Sequence, residues 1–173
     1  IANTTINGAN IGLNVQNATG ILNFAATSTI NNTTLTAFNI DRAMTVANLT
    51  VNFDGAINTN AARAIRINNL QAGDVVNVNG LVTHNGAGNG AGMPGTIDIQ
   101  NSAGNVNFAN ANLTLTSAGD AVKLVNNQLA TIRFNNLDIT TSAGGGLIAT
   151  NSGTVTVGGG NISTTGGPAI FIN

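Results

Sequence analysis

The sequence predicts an all-β protein, a right-handed parallel β-helix (solenoid) of about seven coils of roughly 25 residues. Three observations support this prediction. Apolar and polar residues alternate over short runs, the composition disfavours helices, and the pattern of runs recurs along the chain. Residues 1–173 are therefore expected to form a single domain, with a Gly-rich loop insertion at 84–95.

The composition favours strands and turns. The 173 residues include 31 Asn, 23 Thr and 22 Gly, which are weak helix formers. Runs with period-2 alternation occur, for example, at 64–69, 95–101 and 130–136. The chain contains no Glu, which argues against a coiled coil. The runs are too short, and too closely followed by turn residues, for βαβ units.

An internal repeat sets the coil length. If the first inward apolar residue of one strand type is the anchor, the intervals between anchors are 25, 27, 32, 25, 25 and 23 residues. The longest interval contains the insertion. Each coil then holds an apolar pair and, in several coils, a third strand, as at 113–117, 137–141 and 161–165. The anchors are Leu13, Phe38, Ile65, Ile97, Val122, Leu147 and Ile170.

Other repeat architectures fit less well. A left-handed β-helix would show hexapeptide periodicity, and a propeller needs about 40–45 residues per blade. An antiparallel sandwich would not keep one Asn at a fixed offset. The register of residues 44–53 is ambiguous from the sequence.

An asparagine recurs four residues after most anchors. Asparagine tolerates the left-handed backbone of tight turns, and stacked amides can hydrogen-bond along the axis. In one coil Arg42, after Asp41, takes this position. The sequence predicts a structural ladder of Asn17, Asn69, Asn101, Asn126 and Asn151.

Several function classes are excluded by composition. Without cysteine there is no disulfide framework and no thiol nucleophile. Five Lys and Arg with a net charge of -1 provide no footprint for nucleic acid. No apolar run approaches the length of a membrane helix, so the chain is not expected to span a membrane. No cofactor, metal site or catalytic group is predicted.

One column of residues directly after the anchors is charged. Arg66, Asp98 and Lys123 should stack outward on successive coils as a ladder of alternating sign. Two interpretations of this column are retained, a ladder of salt bridges between coils and a surface that binds carbohydrate. Ile148 and Phe171 continue this column and are candidate contacts for a partner or a further subunit.

The insertion is a candidate binding loop, because loops on rigid scaffolds often carry binding function. Its candidate residues are His84, Asn85, Asn89 and Met93. His84 is the only histidine, so neither a catalytic triad nor a multi-histidine metal site can be assembled with confidence.

Residues 144–173, "GGGLIATNSGTVTVGGGNISTTGGPAIFIN", resemble coils of bacterial secreted β-helix proteins, including autotransporter passengers and other large surface adhesins. This resemblance implies an extracellular or cell-surface location and an adhesive, filamentous or spacer role. Partners would be further copies of the chain, or a host or cell-surface glycan or protein. Some relatives of the fold cleave polysaccharides, so the alternative is a polysaccharide-binding or polysaccharide-cleaving β-helix: a lyase, a hydrolase or a tailspike-like protein.

The ends of the sequence suggest a segment of a longer chain or a stacking subunit. The sequence begins at Ile1, without Met, and stops within a predicted strand at 169–173. Uncapped coils expose strand edges, and head-to-tail contacts that do not close make filaments.

Overall fold

In the computed structural model, residues 1–43, 47–89 and 94–173 are described, and of residues 109 and 110 only the backbone. These ranges contain strands and no helix. The strands are β1 Thr5–Asn7, β2 Ile11–Gln16, β3 Gly20–Phe24, β4 Thr29–Asn31, β5 Thr36–Asp41, β6 Leu49–Phe53, β7 Ala56–Thr59, β8 Arg63–Asn68, β9 Val75–Val78, β10 Val82–Asn85, β11 Ile97–Gln100, β12 Asn105–Ser117, β13 Val122–Thr141, β14 Leu147–Val157, β15 Ile162–Thr164 and β16 Ile170–Ile172.

The strands form a parallel β-solenoid of about six turns, which confirms the predicted fold class. The first face consists of β2, β5, β8, β11, the start of β13, the start of β14, and β16. On this face every predicted anchor pairs with the next anchor in register, so the repeat was read correctly. The paired anchors are Leu13, Phe38, Ile65, Ile97, Val122, Leu147 and Ile170.

Two further faces complete each coil. The second face stacks β3, β6 and β9 on segments of β12, β13 and β14. The third face stacks β1, β4, β7 and β10 on the ends of β12 and β13, and on β15. The structure places β6 on the second face, because Val51 pairs with Leu22 and with Val76. Met44, where the ambiguous register began, lies outside the described residues.

The core is a column of apolar side chains inside the coils. Alternate residues of each strand point inward, and most are fully buried. Two aromatic contacts link neighbouring coils, Phe24 to Phe53 at 5.7 Å between ring centroids and Phe108 to Phe134 at 5.0 Å. A third, Phe38 to Phe53 at 5.4 Å, joins the first and second faces of one coil. Because each coil buries its faces against its neighbours, stability is close to a nearest-neighbour sum.

The turn after the first face contains left-handed asparagines. Asn17, Asn69, Asn101, Asn126 and Asn151 all have φ between 49° and 60°. The side-chain amide of Asn126 donates to Asn101 Oδ1 at 3.4 Å, and that of Asn151 donates to Asn126 Oδ1 at 3.4 Å. In the coils nearer the N-terminus, the hydrogen-bond partners of the amides differ from those of the predicted ladder.

In the lower coils the amide partners come from adjacent positions. Asn101 donates to Asn68 Oδ1 at 3.2 Å, and Asn69 donates to Asp41 Oδ1 at 2.9 Å. In these two coils the acceptor of the amide hydrogen bond is thus the residue just before the predicted ladder position, Asn68 and Asp41. What the five asparagines share is the left-handed backbone; Arg42, at the equivalent position of the second coil, does not have it.

Arg42, which interrupts the asparagine series, is fully buried against Asp74. Its Nε and Nη2 each lie 3.0 Å from a carboxylate oxygen of Asp74, and it also donates to the carbonyl oxygens of Ala18 and Ala47. Asp74 accepts from the backbone N–H groups of Leu49 and Gln71 at 2.8 Å each. Every charged atom of this pair is therefore partnered, as a buried ion pair requires.

A second asparagine ladder, which was not predicted from the sequence, runs along the outside of the second face. Each amide donates to the preceding coil: Asn52 to Asn23, Asn77 to Asn52, and Asn107 to Asn77, at 2.7–2.8 Å. These bonds are shorter than those in the turn ladder. They add axial hydrogen bonds to the backbone bonds between coils.

Some coils approach too closely for a side chain. A Cβ added at Gly80 would lie 1.9 Å from the carbonyl oxygen of Gly55.

No helix in the described ranges is long and apolar enough to cross a membrane.

We expect Asn126→Ala to lower the free energy of unfolding by more than about 1 kcal/mol, because alanine is strained in the left-handed region and the amide bonds are lost. Asn126→Gly should cost less, since glycine keeps the backbone conformation and loses only the amide. Denaturant unfolding measures both.

Asn85→Ala is the control, because Asn85 is exposed at the end of β10 and has ordinary backbone geometry. It should change stability by no more than about 0.5 kcal/mol. Equal losses for Asn126→Ala and Asn85→Ala would contradict the structural role of the turn asparagines.

Candidate functional site: a polar groove on the first face

An open groove crosses β2, β5 and β8 on the outside of the first face. Its volume is about 620 Å³. Polar and cationic side chains form much of its lining, and the exposed aliphatic side chains of Ile11 and Leu35 border it. The lining residues are Ile11, Gln16, Leu35, Thr36, Asn39, Ala62, Arg63, Arg66 and Asn89.

The strand pairing brings Arg66 into a row of hydrogen-bonded polar side chains. Asn14, Asn39 and Arg66 stack on successive coils. The Asn39 amide donates to Asn14 Oδ1 at 2.7 Å, and Arg66 Nη1 donates to Asn39 Oδ1 at 3.0 Å and to Asp41 Oδ2 at 3.0 Å. Arg66 is therefore held in place by two acceptors while its side chain stays 28% exposed.

Arg63 is less fully bonded than Arg66. Its Nη1 lies 3.7 Å from Asp98 Oδ2, which is a long ion pair. Its Nε is buried and has no hydrogen-bond partner. The Arg63 side chain is 28% exposed and lines the groove, so its terminal N–H groups can donate to an acceptor there. This role was not predicted from the sequence, because Arg63 has the same strand parity as the inward anchor Ile65.

Asp98 has the predicted register with Arg66 and Lys123, but the neighbouring Gln100 and Arg63 side chains contact its carboxylate and it is only 2% exposed. Burial raises the pKa of the Asp98 carboxyl above its ordinary value. A hydrogen bond from Gln100 at 2.7 Å and the positive charges of Arg63, Arg66 and Lys123 oppose that rise. Burial is the dominant cause, so the protonated form is favoured more than in water.

The predicted charge ladder has the expected register but different ion pairs. Asp98 pairs in the sheet with Arg66 on one side and Lys123 on the other. The ion pairs within 4 Å connect Arg66 to Asp41, Asp98 to Arg63, and Lys123 to Asp120. Long side chains reach along the strand as well as across it, so stacking alone did not identify the partners.

The candidate residues of the predicted binding loop differ in their placement. His84 is not a loop residue: it lies in β10 and is 1% exposed. Asn89 donates to the carbonyl oxygens of Ala62 and Pro94 at 3.1 and 3.0 Å. Asn85 is exposed, and Met93 lies outside the described residues.

Two apolar residues continue the charged column toward β16. Ile148 pairs with Phe171 in the sheet. Ile148 is half-buried and lies over Gly145, whereas Phe171 is 45% exposed. Only Phe171 of the two is freely available for contact.

A smaller cavity of about 310 Å³ lies beside the turn asparagines Asn101 and Asn126. Its other lining residues are Ser102, Ala103, Gln128 and Leu129, and it contains no charged side chain. Across the described ranges, no three acidic or histidine side chains come together as metal ligands. The first-face groove is therefore the site with the most binding chemistry.

Comparisons with protein-family models, with curated proteins and with solved structures found no match for the chain. The assignment of function therefore depends on the geometry described above.

The raised pKa of Asp98 has a consequence for stability. The folded state binds the Asp98 proton more tightly than the unfolded chain does, so this residue stabilises the fold at low pH. Its contribution is lost as pH rises from the ordinary carboxyl value through the raised one. We expect the stability difference between the wild type and Asp98→Asn to shift against the wild type over that range.

Urea unfolding from about pH 3 to about pH 7 measures this difference. Asp54→Asn is the control, because Asp54 is an exposed carboxylate. A wild-type advantage over Asp98→Asn that grows with pH would contradict the burial of Asp98.

Proposed function

We propose that the chain is an extracellular structural and adhesive module, part of a cell-surface adhesin or of a filament of solenoids stacked head to tail. The observation that carries this proposal is the unbroken register of the first face, where seven strands stack in parallel. Axial hydrogen bonds between coils, from the backbone and from two sets of asparagine amides, make such a wall a stiff support.

Head-to-tail stacking would use the edge of β16. This strand pairs with β14, and its side chains are exposed: Ile170 by 57%, Phe171 by 45% and Ile172 by 71%. A parallel strand added at this edge would bury apolar surface and satisfy the backbone groups of the edge.

Negative-stain electron microscopy over a range of concentrations tests self-stacking. We expect filaments of solenoid width that lengthen with concentration. Phe171→Asp should prevent their growth, because a charge would be buried at each joint.

Leu129→Asp is the matched control. Leu129 is 78% exposed but lies on the lateral wall beside the turn asparagines, so its variant should still form filaments. Short rods of one length at every concentration would contradict self-stacking and leave the adhesin module as the surviving form of the proposal.

The groove supports a second candidate function, the binding of a polysaccharide. The exposed amide of Gln16 matches sugar hydroxyls, and the guanidinium groups of Arg63 and Arg66 match carboxylates. An acidic polysaccharide is therefore the ligand class that the groove fits. Cleavage is the further step that would make the chain a lyase or hydrolase.

Binding of acidic and neutral polysaccharides to the immobilised protein tests this candidate. Arg66→Gln should weaken binding of an acidic chain by about 10- to 100-fold, the value of one or two charge-assisted hydrogen bonds. Arg133→Gln should leave binding unchanged, because Arg133 is exposed on the second face. Equal effects of the two variants, or no binding, would exclude the groove as the site, and release of reducing ends would establish cleavage.

A further inference from the structure

His84 is held between backbone carbonyl groups of two neighbouring coils. Its Nε2 lies 2.7 Å from the carbonyl oxygen of Ala61, and its Nδ1 lies 2.7 Å from the carbonyl oxygen of Thr116. The side chain is 1% exposed and occupies a core position, between Thr59 and Leu115 in the sheet register. One ring therefore joins three successive coils.

The two contacts cannot both be hydrogen bonds of a neutral ring. A carbonyl oxygen only accepts, and a neutral imidazole carries one N–H donor and one bare nitrogen. In the neutral form, one bare nitrogen would face a carbonyl oxygen at 2.7 Å with no hydrogen between them. In the doubly protonated form both nitrogens donate, and 2.7 Å is the length of a charge-assisted bond.

We propose that His84 is a proton-binding site built into the solenoid wall, with its ring held as the imidazolium by the carbonyl groups of Ala61 and Thr116. When the ring loses this proton, one carbonyl group loses its donor and the three coils are joined less firmly. The wall is thus more stable in acidic than in alkaline solution at this point.

Other charged groups do not account for this arrangement. The flanking strands β7 and β12 contain no titratable side chain, and His84 is the only one in β10. The strand β8 also approaches β10 and carries Arg63 and Arg66, whose ion pairs are with Asp98 and Asp41 on the first face. In the described ranges no carboxylate forms an ion pair with His84, so the carbonyl oxygens are what stabilise its charge.

The burial of a charge opposes the proposal, since an unpaired ion in a core is costly. Two features offset that cost. Both N–H groups of the imidazolium are satisfied at short distance, and the alternative leaves a buried carbonyl group facing a lone pair. Proton loss therefore removes one of the two hydrogen bonds that the ring makes between coils.

NMR of 15N-labelled protein tests the proposal directly, because the chain has one histidine and hence one imidazole signal set. At about pH 7, where a free imidazole is mostly neutral, we expect two ring nitrogens that each carry a hydrogen. One protonated and one bare nitrogen in the folded protein would overturn the proposal.

The pH dependence of unfolding gives a second readout. A site that binds one proton only in the folded state raises the unfolding constant by up to tenfold for each unit of pH. We expect the wild type to lose stability as a rising pH removes this proton, and His84→Leu, which matches the neighbouring Leu115, to lack this trend.

Asn85→Ala is the control for this measurement and should retain the trend, because it changes the adjacent exposed residue. A pH trend equally strong in His84→Leu and in the wild type would assign the effect to other groups and contradict the proposal. If His84→Leu does not fold, the NMR measurement still decides between the two protonation states.

Discussion

The parallel, in-register stacking of coils about 4.8 Å apart is the constraint on which the rest of the structure depends. It determines which residues can meet: those about one coil apart in the sequence. The outer asparagine ladder joins residues separated by 25–30 positions, and Arg66 reaches Asp41 over 25 positions. With few charges and no disulfides available, this chain stabilises its wall by repeating such contacts.

The coil that departs from the regular length contains the most unusual polar chemistry. Residues 65–96 span the longest interval between anchors, and both Asp74 and His84 lie within it. Each makes a buried polar contact with a neighbouring coil, Asp74 with Arg42 and His84 with Ala61 and Thr116. A longer coil cannot repeat the side chains of its neighbours at every position, and here buried hydrogen-bonded groups fill the positions that differ.

The fold could be predicted because its determinants are local and repeated. Alternation identified the inward anchors, and the anchor spacing identified the register on all seven strands of the first face. The candidate site could not be predicted to the same extent. Arg63 lies beside the groove only because of the geometry at a strand start, and the burial of Asp98 depends on neighbouring coils. His84 precedes a Gly-rich run, which concealed that it lies inside a strand, β10.

Disulfide cross-linking of stacked positions tests the register most directly, because the chain has no cysteine of its own. Asn52 and Asn77 are paired neighbours on the outer wall, so Asn52→Cys with Asn77→Cys should oxidise readily to a disulfide. Asn107 lies in the same column one coil further, about 10 Å from Asn52 and beyond disulfide reach. Rapid cross-linking of the first pair alone is the result that in-register stacking predicts. Cross-linking of Asn52→Cys with Asn107→Cys at an equal rate, or of neither pair, would contradict it.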